Sequence, residues 1–248
     1  MRILVTNDDG IYSPGLASLA RVASRFGEVR VVAPDVEQSS MGHAITATRP
    51  LFYKPSPVPF PDGIEAYRVN GTPADCVSLG THLWSKTDIV LSGINMGYNL
   101  GNAMWHSGTL AAAKQATLLG IKGIALSTTS GTAKNPIDFP GLEPFVDKAL
   151  AILMKTPATG LFNVNFPPDP QGVKWTRQSV RLYDGKIVPG MDPIGRKHYW
   201  FTVVPLEPAD EGTDRRAVED GYVSITPLRL DLTNEEELMK ALQNQPIW

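Results

Sequence analysis

Short apolar runs alternate with amphipathic stretches through the first two thirds of the chain. Ile3-Leu4-Val5 is uninterrupted, as expected of a strand buried on both faces of a parallel sheet. Pro14 suits a helix's first turn, and Leu16, Leu19, Ala20, Ala23 and Phe26 then form a helical stripe to Gly27. Val29 to Ala33 is a second strand. A β-α-β unit with a right-handed crossover follows from this order. Strands are expected again at 66–69, 88–92, 121–127 and 161–166. Helices are expected from Thr72-Pro73 (with Ala74, Val77, Leu79, Leu83 and Cys76 buried), from Ser107-Gly108-Thr109 to Gly120, and over 142–155. Five prolines between Arg49 and Gly63 make that segment a semi-rigid loop or edge strand. The fold class expected is α/β: a Rossmann-like, mostly parallel sheet with helices on both faces.

Beyond Gln171 aromatic and charged residues interleave, at Trp175, Tyr183, Tyr199, Trp200 and Phe201. Tyr183-Asp184-Gly185-Lys186 reads as a hairpin turn. Strands are expected at 199–204 and 222–226, and a last helix after Asp231-Leu232-Thr233. The division expected is a metal- and phosphate-binding domain over 1–170 and a β-rich extension over 171–248. The extension has too few apolar residues for its own core. Packing on the first domain or exchange between subunits is the economical solution.

Composition narrows the function. Net charge is −2 over 248 residues, which argues against a nucleic-acid groove. The single cysteine, Cys76, excludes an internal disulfide or a multi-cysteine zinc site and fits a reducing compartment. No stretch reaches the ~18 apolar residues of a membrane span. A cytoplasmic protein without a stable membrane or nucleic-acid partner is expected.

The candidate chemistry lies where predicted strands end. Ligands of open α/β sheets bind beyond the strands' carboxyl ends, and the first strand runs into Asn7-Asp8-Asp9-Gly10. Adjacent carboxylates repel unless something positive sits between them. A hard divalent cation is the simplest partner, a solvated turn the plain alternative. The dinucleotide fingerprint G-x-G-x-x-G is absent from this turn, against a nicotinamide or flavin enzyme. Ser92 to Asn102 holds glycines at 93, 97 and 101 and asparagines at 95, 99 and 102, suited to approach by backbone amides and amide side chains. Ser107-Gly108-Thr109 is either an anion cradle at a helix start or an ordinary cap. The loop Gln38-Ser39-Ser40-Met41-Gly42-His43 offers hydroxyls at the same edge, either as loop punctuation or as metal and phosphate ligands; His43 reads as a hydrogen-bonded loop residue, and His106, just upstream of Ser107, as a candidate proton donor to a leaving group or an ordinary loop residue.

Together, Asn7-Asp8-Asp9-Gly10, Gly71-Thr72-Pro73-Ala74-Asp75-Cys76, Ser92-Gly93-Ile94-Asn95 with Asn99-Leu100-Gly101, and Ser107-Gly108-Thr109 resemble the SurE family of stationary-phase survival proteins. The resemblance spans residues 1 to about 230. It implies a metal-dependent phosphatase that hydrolyses nucleoside 5′- and 3′-monophosphates, with polyphosphate a further substrate, in a homodimer or homotetramer with exchanged C-terminal extensions. It further implies one Mg²⁺ or Mn²⁺ per subunit on Asp8, Asp9, Ser39 and Asn95, and phosphate on Asn99 and the Ser107-Gly108-Thr109 start. Asp8 and Asp9 become the catalytic carboxylates, either one assisting water as base, with direct attack by Asp8 the rival. A nucleoside pocket is expected near Gly42-His43 and Tyr98. A metal-dependent deacetylase or amidase and a non-catalytic nucleotide sensor are the competing classes.

Overall fold

The computed structural model describes residues 1–132, 134–156, 159–180, 183–205 and 209–243. In chain order the elements are β1 (Arg2–Thr6), α1 (Pro14–Ala23), β2 (Glu28–Pro34), β3 (Tyr53–Pro55), β4 (Glu65–Val69), α2 (Pro73–Trp84), β5 (Ile89–Met96), α3 (Gly108–Leu118), β6 (Lys122–Thr128), α4 (Phe139–Leu153), β7 (Leu161–Phe166), β8 (Val173–Trp175), β9 (Tyr183–Met191), β10 (Lys197–Pro205), α5 (Asp214–Glu219), β11 (Val223–Leu228) and α6 (Glu235–Gln243).

Nine strands form one sheet in the order β3-β4-β2-β1-β5-β6-β7-β11-β8. From β4 to β7 all neighbours are parallel. The chain builds outward from β1 in one direction, then returns to β5 and builds in the other. The order reverses between β1 and β5, which makes the crevice above them the ligand position of this architecture.

Burial explains the apolar runs. Ile3 and Val5 pack with Leu16, Leu19 and Val146 on the α1/α4 side, whereas Leu4 packs with Val32, Cys76 and Ala112 on the α2/α3 side. Successive strand residues thus enter opposite cores, and both must be apolar. The Thr72 hydroxyl accepts from the Asp75 amide at 3.2 Å while the Asp75 carboxylate accepts from the Thr72 amide at 2.9 Å. This reciprocal cap opens α2 at the expected Thr72-Pro73.

Four local readings change. Leu83 is exposed rather than buried, because Cys76, Gly80 and Trp84, spaced by four, are the residues α2 turns to the sheet. β5 does not stop at Ser92: its pairing with β6 shifts register and resumes at Asn95 and Met96. At Gly93 a Cβ would lie 2.2 Å from the Leu126 carbonyl oxygen, so this irregularity excludes every other residue. α4 begins at Phe139, three residues before the apolar stripe, with Asp138 accepting from the Gly141 amide at 3.0 Å. Finally, Tyr183 to Lys186 lies within β9; the hairpin turns at Asp192, whose carboxylate accepts from the Ile194 and Arg196 amides.

Beyond residue 170, β8 and β11 lie inside the main sheet, β11 antiparallel to β7. β9 and β10 form a separate two-stranded ribbon that exposes Ile187, Met191, Tyr199, Trp200 and Phe201. α6 buries none of its residues.

Candidate metal centre and phosphate cradle

β1 delivers Asp8 and Asp9 to the crevice. Asp8 is 4% exposed, and its carboxylate lies against the first turn of α3. There the Thr109 hydroxyl donates to Asp8 Oδ1 at 2.6 Å. A Cβ on Gly108 would stand 2.8 Å from the Asp8 Cβ and 2.9 Å from its Oδ2. Only glycine admits this approach. Burial raises the Asp8 pKa, while the Thr109 hydroxyl and the Gly108 and Thr109 amides oppose the rise.

Asp9 is half-buried and its Oδ2 accepts from the Met96 amide at 3.3 Å. Burial, then the charge of Asp8, pushes its pKa up to about 6, and Glu37 adds to the rise. No lysine, arginine or histidine forms an ion pair with either carboxylate among the described residues. Nor does a third histidine, cysteine or acidic residue complete a metal cluster among them. The further oxygen donors beside the pair are neutral side chains.

Two such groups come from the neighbouring segments. Asn95 donates its amide nitrogen to the Gly97 carbonyl at 2.6 Å, which leaves the side-chain oxygen as the end that can meet a cation. Ser39 is exposed and its hydroxyl donates to Glu37 Oε1 at 2.6 Å. That bond uses the proton and leaves oxygen lone pairs free. The loop is anchored next door, since the Gln38 amide donates to the Asp8 carbonyl at 2.7 Å and the Gly42 amide to the His106 carbonyl at 3.0 Å. Two carboxylates, an amide oxygen and a hydroxyl suit a hard cation such as Mg²⁺ or Mn²⁺.

The structure joins Asp8, Thr109 and Asn99 in one network. Asn99 is buried, and its amide nitrogen donates to Ser127 Oγ at 2.9 Å and reaches Thr109 Oγ1 at 3.5 Å. Ser107 caps α3 by accepting from the Leu110 amide at 3.0 Å, so its own proton stays available. Ser39 and Asn95 stand outside this network. His106 is exposed, and His43 meets Gln115 at 2.9 Å. Tyr98 is partly buried and packs against Leu100 and Val218.

Three supporting residues escape sequence reasoning. Asn163 donates to the Asn99 carbonyl at 2.7 Å, and Asn165 accepts from the Asn99 amide at 2.9 Å. Two asparagines alternating in the fully buried β7 were the signal, since a buried amide must have partners. Asp214, wholly buried, accepts from the amides of Gly101 at 2.8 Å and Ser179 at 2.9 Å. It pins the loop behind Asn99 to the root of the ribbon.

A profile of the family described as survival protein SurE matches residues 3–185. The chain belongs to the SurE family. Within that family it is 48% identical over 240 residues to 5′-nucleotidase SurE 1 of Thermus thermophilus, covering 94% of this chain and 93% of the relative. It is 43% identical over 249 residues to 5′-nucleotidase SurE of Deinococcus radiodurans, covering 97% and 92%. The crystal structure of the SurE protein from Aquifex aeolicus superimposes with a TM-score of 0.82 at 37% identity, over 99% of this chain and 100% of that one. The fold expected for SurE is therefore the fold found.

Proposed function

We infer that this chain is a divalent-metal-dependent phosphoric monoester hydrolase acting on nucleoside monophosphates; its SurE relatives are named 5′-nucleotidases. The observation that carries the reading is the Asp8–Asp9 pair at the sheet's switch point, without a basic partner among the described residues and set against the first turn of α3. Asp8, Asp9, Ser39 and Asn95 would hold one Mg²⁺ or Mn²⁺ per subunit, which when bound would supply positive charge to a phosphoryl oxygen. Thr109 and the α3 amides hold Asp8 in one orientation. Ser107, its proton uncommitted, is placed to donate to another phosphate oxygen. Asn99 braces Thr109 from behind through Ser127. Asp9, the more accessible carboxylate, is placed to take a proton from attacking water; direct attack by Asp8 is hindered by its burial against Gly108. The all-oxygen donor set sets the site apart from a histidine-based zinc amidase.

A homo-oligomer fits the ribbon and α6, whose aromatic and aliphatic side chains stay exposed among the described residues. Within segment 171–248 the ribbon and α6 would then be the exchanged parts, since β8 and β11 pair in the parent sheet. No helix among the described residues is long and apolar enough to cross a membrane, and the cytoplasm is the compartment we assign.

Hydrolysis of a panel of nucleoside 5′- and 3′-monophosphates and of polyphosphate, with Mn²⁺ and then with EDTA, tests the function. Metal-dependent release of phosphate from at least one mononucleotide is expected. Nucleotide binding without turnover at saturating Mn²⁺ would leave a sensor instead.

A further inference from the structure

We propose that the turn Asn70-Gly71-Thr72-Pro73-Ala74-Asp75 clamps the loop that carries Ser39, and that Thr72 and Asp75 are positioning residues of the metal centre. The proposal rests on the metal-dependent reading above and adds to it what holds the loop's hydroxyl ligand in place.

Residues 35–52 join β2 to β3 without regular structure. Long connections of this kind readily take several conformations, so a single one needs anchors. Ser39 lies near the start of the loop, beside Ser40, whose φ of 61° falls in the left-handed region that serine seldom adopts. Such a turn persists only where its surroundings hold it. Ahead of Ser39, the Gln38 amide donates to the Asp8 carbonyl; behind it, the Gly42 amide donates to the His106 carbonyl. From Ala44 onward the anchors come from the turn before α2.

The α2 cap leaves two polar groups to spare. Capping occupies Asp75 Oδ2, which accepts from the Thr72 amide at 2.9 Å, and one lone pair of the Thr72 hydroxyl, which accepts from the Asp75 amide at 3.2 Å. It needs neither Asp75 Oδ1 nor the Thr72 hydroxyl proton. Both go to the loop: the Thr46 amide donates to Asp75 Oδ1 at 2.9 Å, and the Thr72 hydroxyl donates to the Ala44 carbonyl at 2.7 Å. Thr72 and Asp75 are 6% and 4% exposed, so water competes little for these bonds.

Asn70 repeats the pattern farther along. Its side chain accepts from the Phe52 amide at 2.7 Å and donates to the Pro50 carbonyl at 3.4 Å. Leu51, between those two, packs on the turn: a Cβ on Gly71 would stand 2.8 Å from Leu51 Cδ2 and 2.7 Å from Asp75 Oδ2. Starting a helix accounts for none of these four bonds to the loop. Holding the loop does.

The test titrates Mn²⁺ into the metal-stripped protein, followed by electron paramagnetic resonance, for Thr72→Val, Thr72→Ser, Ser39→Ala and the double variant of Thr72→Val with Ser39→Ala. Thr72→Val should raise the Kd for Mn²⁺ about tenfold, the lower end for removing a group that orients a metal ligand, and Thr72→Ser should keep it near the wild-type value. In the Ser39→Ala background Thr72→Val should add nothing, since a clamp acting through Ser39 has no ligand left to position. In the metal-free protein, Thr72→Val should also speed hydrogen exchange at the Gly42 and Thr46 amides. A role confined to the α2 cap would lower the melting temperature and leave both the Kd and these amides unchanged. Wild-type Mn²⁺ affinity in Thr72→Val, or the same loss with and without Ser39, overturns the proposal. Asn70→Ala, which frees Pro50 and Phe52 and leaves the cap whole, takes the place of Thr72→Val if that variant does not fold. A wild-type protein that binds no Mn²⁺ overturns the metal centre and the clamp's role in it together, whereas wild-type binding with an unaffected Thr72→Val overturns the clamp alone.

Discussion

The Thr109 hydroxyl donates to Asp8 Oδ1 at 2.6 Å, joining the first turn of α3 to the end of β1 across 101 positions of sequence. A neutral donor on a buried carboxylate fixes its direction without neutralising it. It aims Asp8 as a metal ligand must be aimed and opposes the rise that burial gives its pKa. Thr109→Val keeps the shape and deletes the donor. It should cost about 1.5–3 kcal/mol of stability, as for hydrogen bonds to charged groups, and should weaken Mn²⁺ binding. Thermal melts and metal titration check both effects, and Thr109→Ser should restore binding.

Gly108 poses a contest between two opposed effects. Alanine is favoured over glycine within helices by about 1 kcal/mol, yet a Cβ here would lie 2.8–2.9 Å from Asp8 atoms held by α3 itself. The clash should win. Gly108→Ala is expected to lower turnover severely while the circular dichroism spectrum stays native. A Gly108→Ala enzyme with wild-type kcat/KM would mean that Asp8 need not sit where it does.

Asp214 lies far from the metal-binding residues in sequence, yet its carboxylate orders Gly101, two residues from Asn99, and Ser179 at the ribbon's root. Asp214→Ala leaves these buried amides unpaired, at about 1–3 kcal/mol each. The melting temperature should fall, and faster hydrogen exchange should appear at both Gly101 and Ser179. Protection lost at one segment only would show that the two are not coupled through this side chain.

Acid should find the α2 cap. Burial opposes ionisation of Asp75, but hydrogen bonds from Thr46 and Thr72 outweigh it and hold the carboxyl below its ordinary value of 3.8. A depressed folded-state pKa means that the unfolded chain binds the proton more readily. The stabilisation is therefore present above the unfolded value and lost as pH falls through the folded one. Asp75→Asn should flatten the acid limb of a stability-against-pH curve below about pH 4, where model aspartate titrates. At neutral pH the Thr46–Asp75 bond should also keep the segment after His43 ordered.

The parallel sheet was legible because burial on both faces demands runs such as Ile3-Leu4-Val5 and Ile89-Val90-Leu91, which few other structures need. The α2 start was legible because capping is local, carried by Thr72, Pro73 and Asp75. The ribbon's turn was not: Tyr183-Asp184-Gly185 has turn composition, but Asp192-Pro193-Ile194-Gly195 closes the hairpin through backbone bonds to the Asp192 carboxylate. At the candidate site, Asp8 and Asp9 stood out as an unneutralised pair at a strand's end. Asn163, Asn165 and Asp214 act on Asn99 and Gly101 from more than sixty residues away in sequence, and periodicity carries no trace of such partners. The packing of Tyr98 is hidden for the same reason, since Val218 arrives from α5.

The central claim is that Asp8 and Asp9 hold a divalent cation on which turnover depends. Electron paramagnetic resonance of Mn²⁺ titrated into the metal-stripped protein, with phosphate release from adenosine 5′-monophosphate followed in the same samples, tests it most directly. The wild-type protein should bind one Mn²⁺ per subunit with turnover rising in step, and Asp9→Asn should stay folded but do neither. Full turnover in the stripped protein, or in Asp9→Asn without bound Mn²⁺, would contradict it.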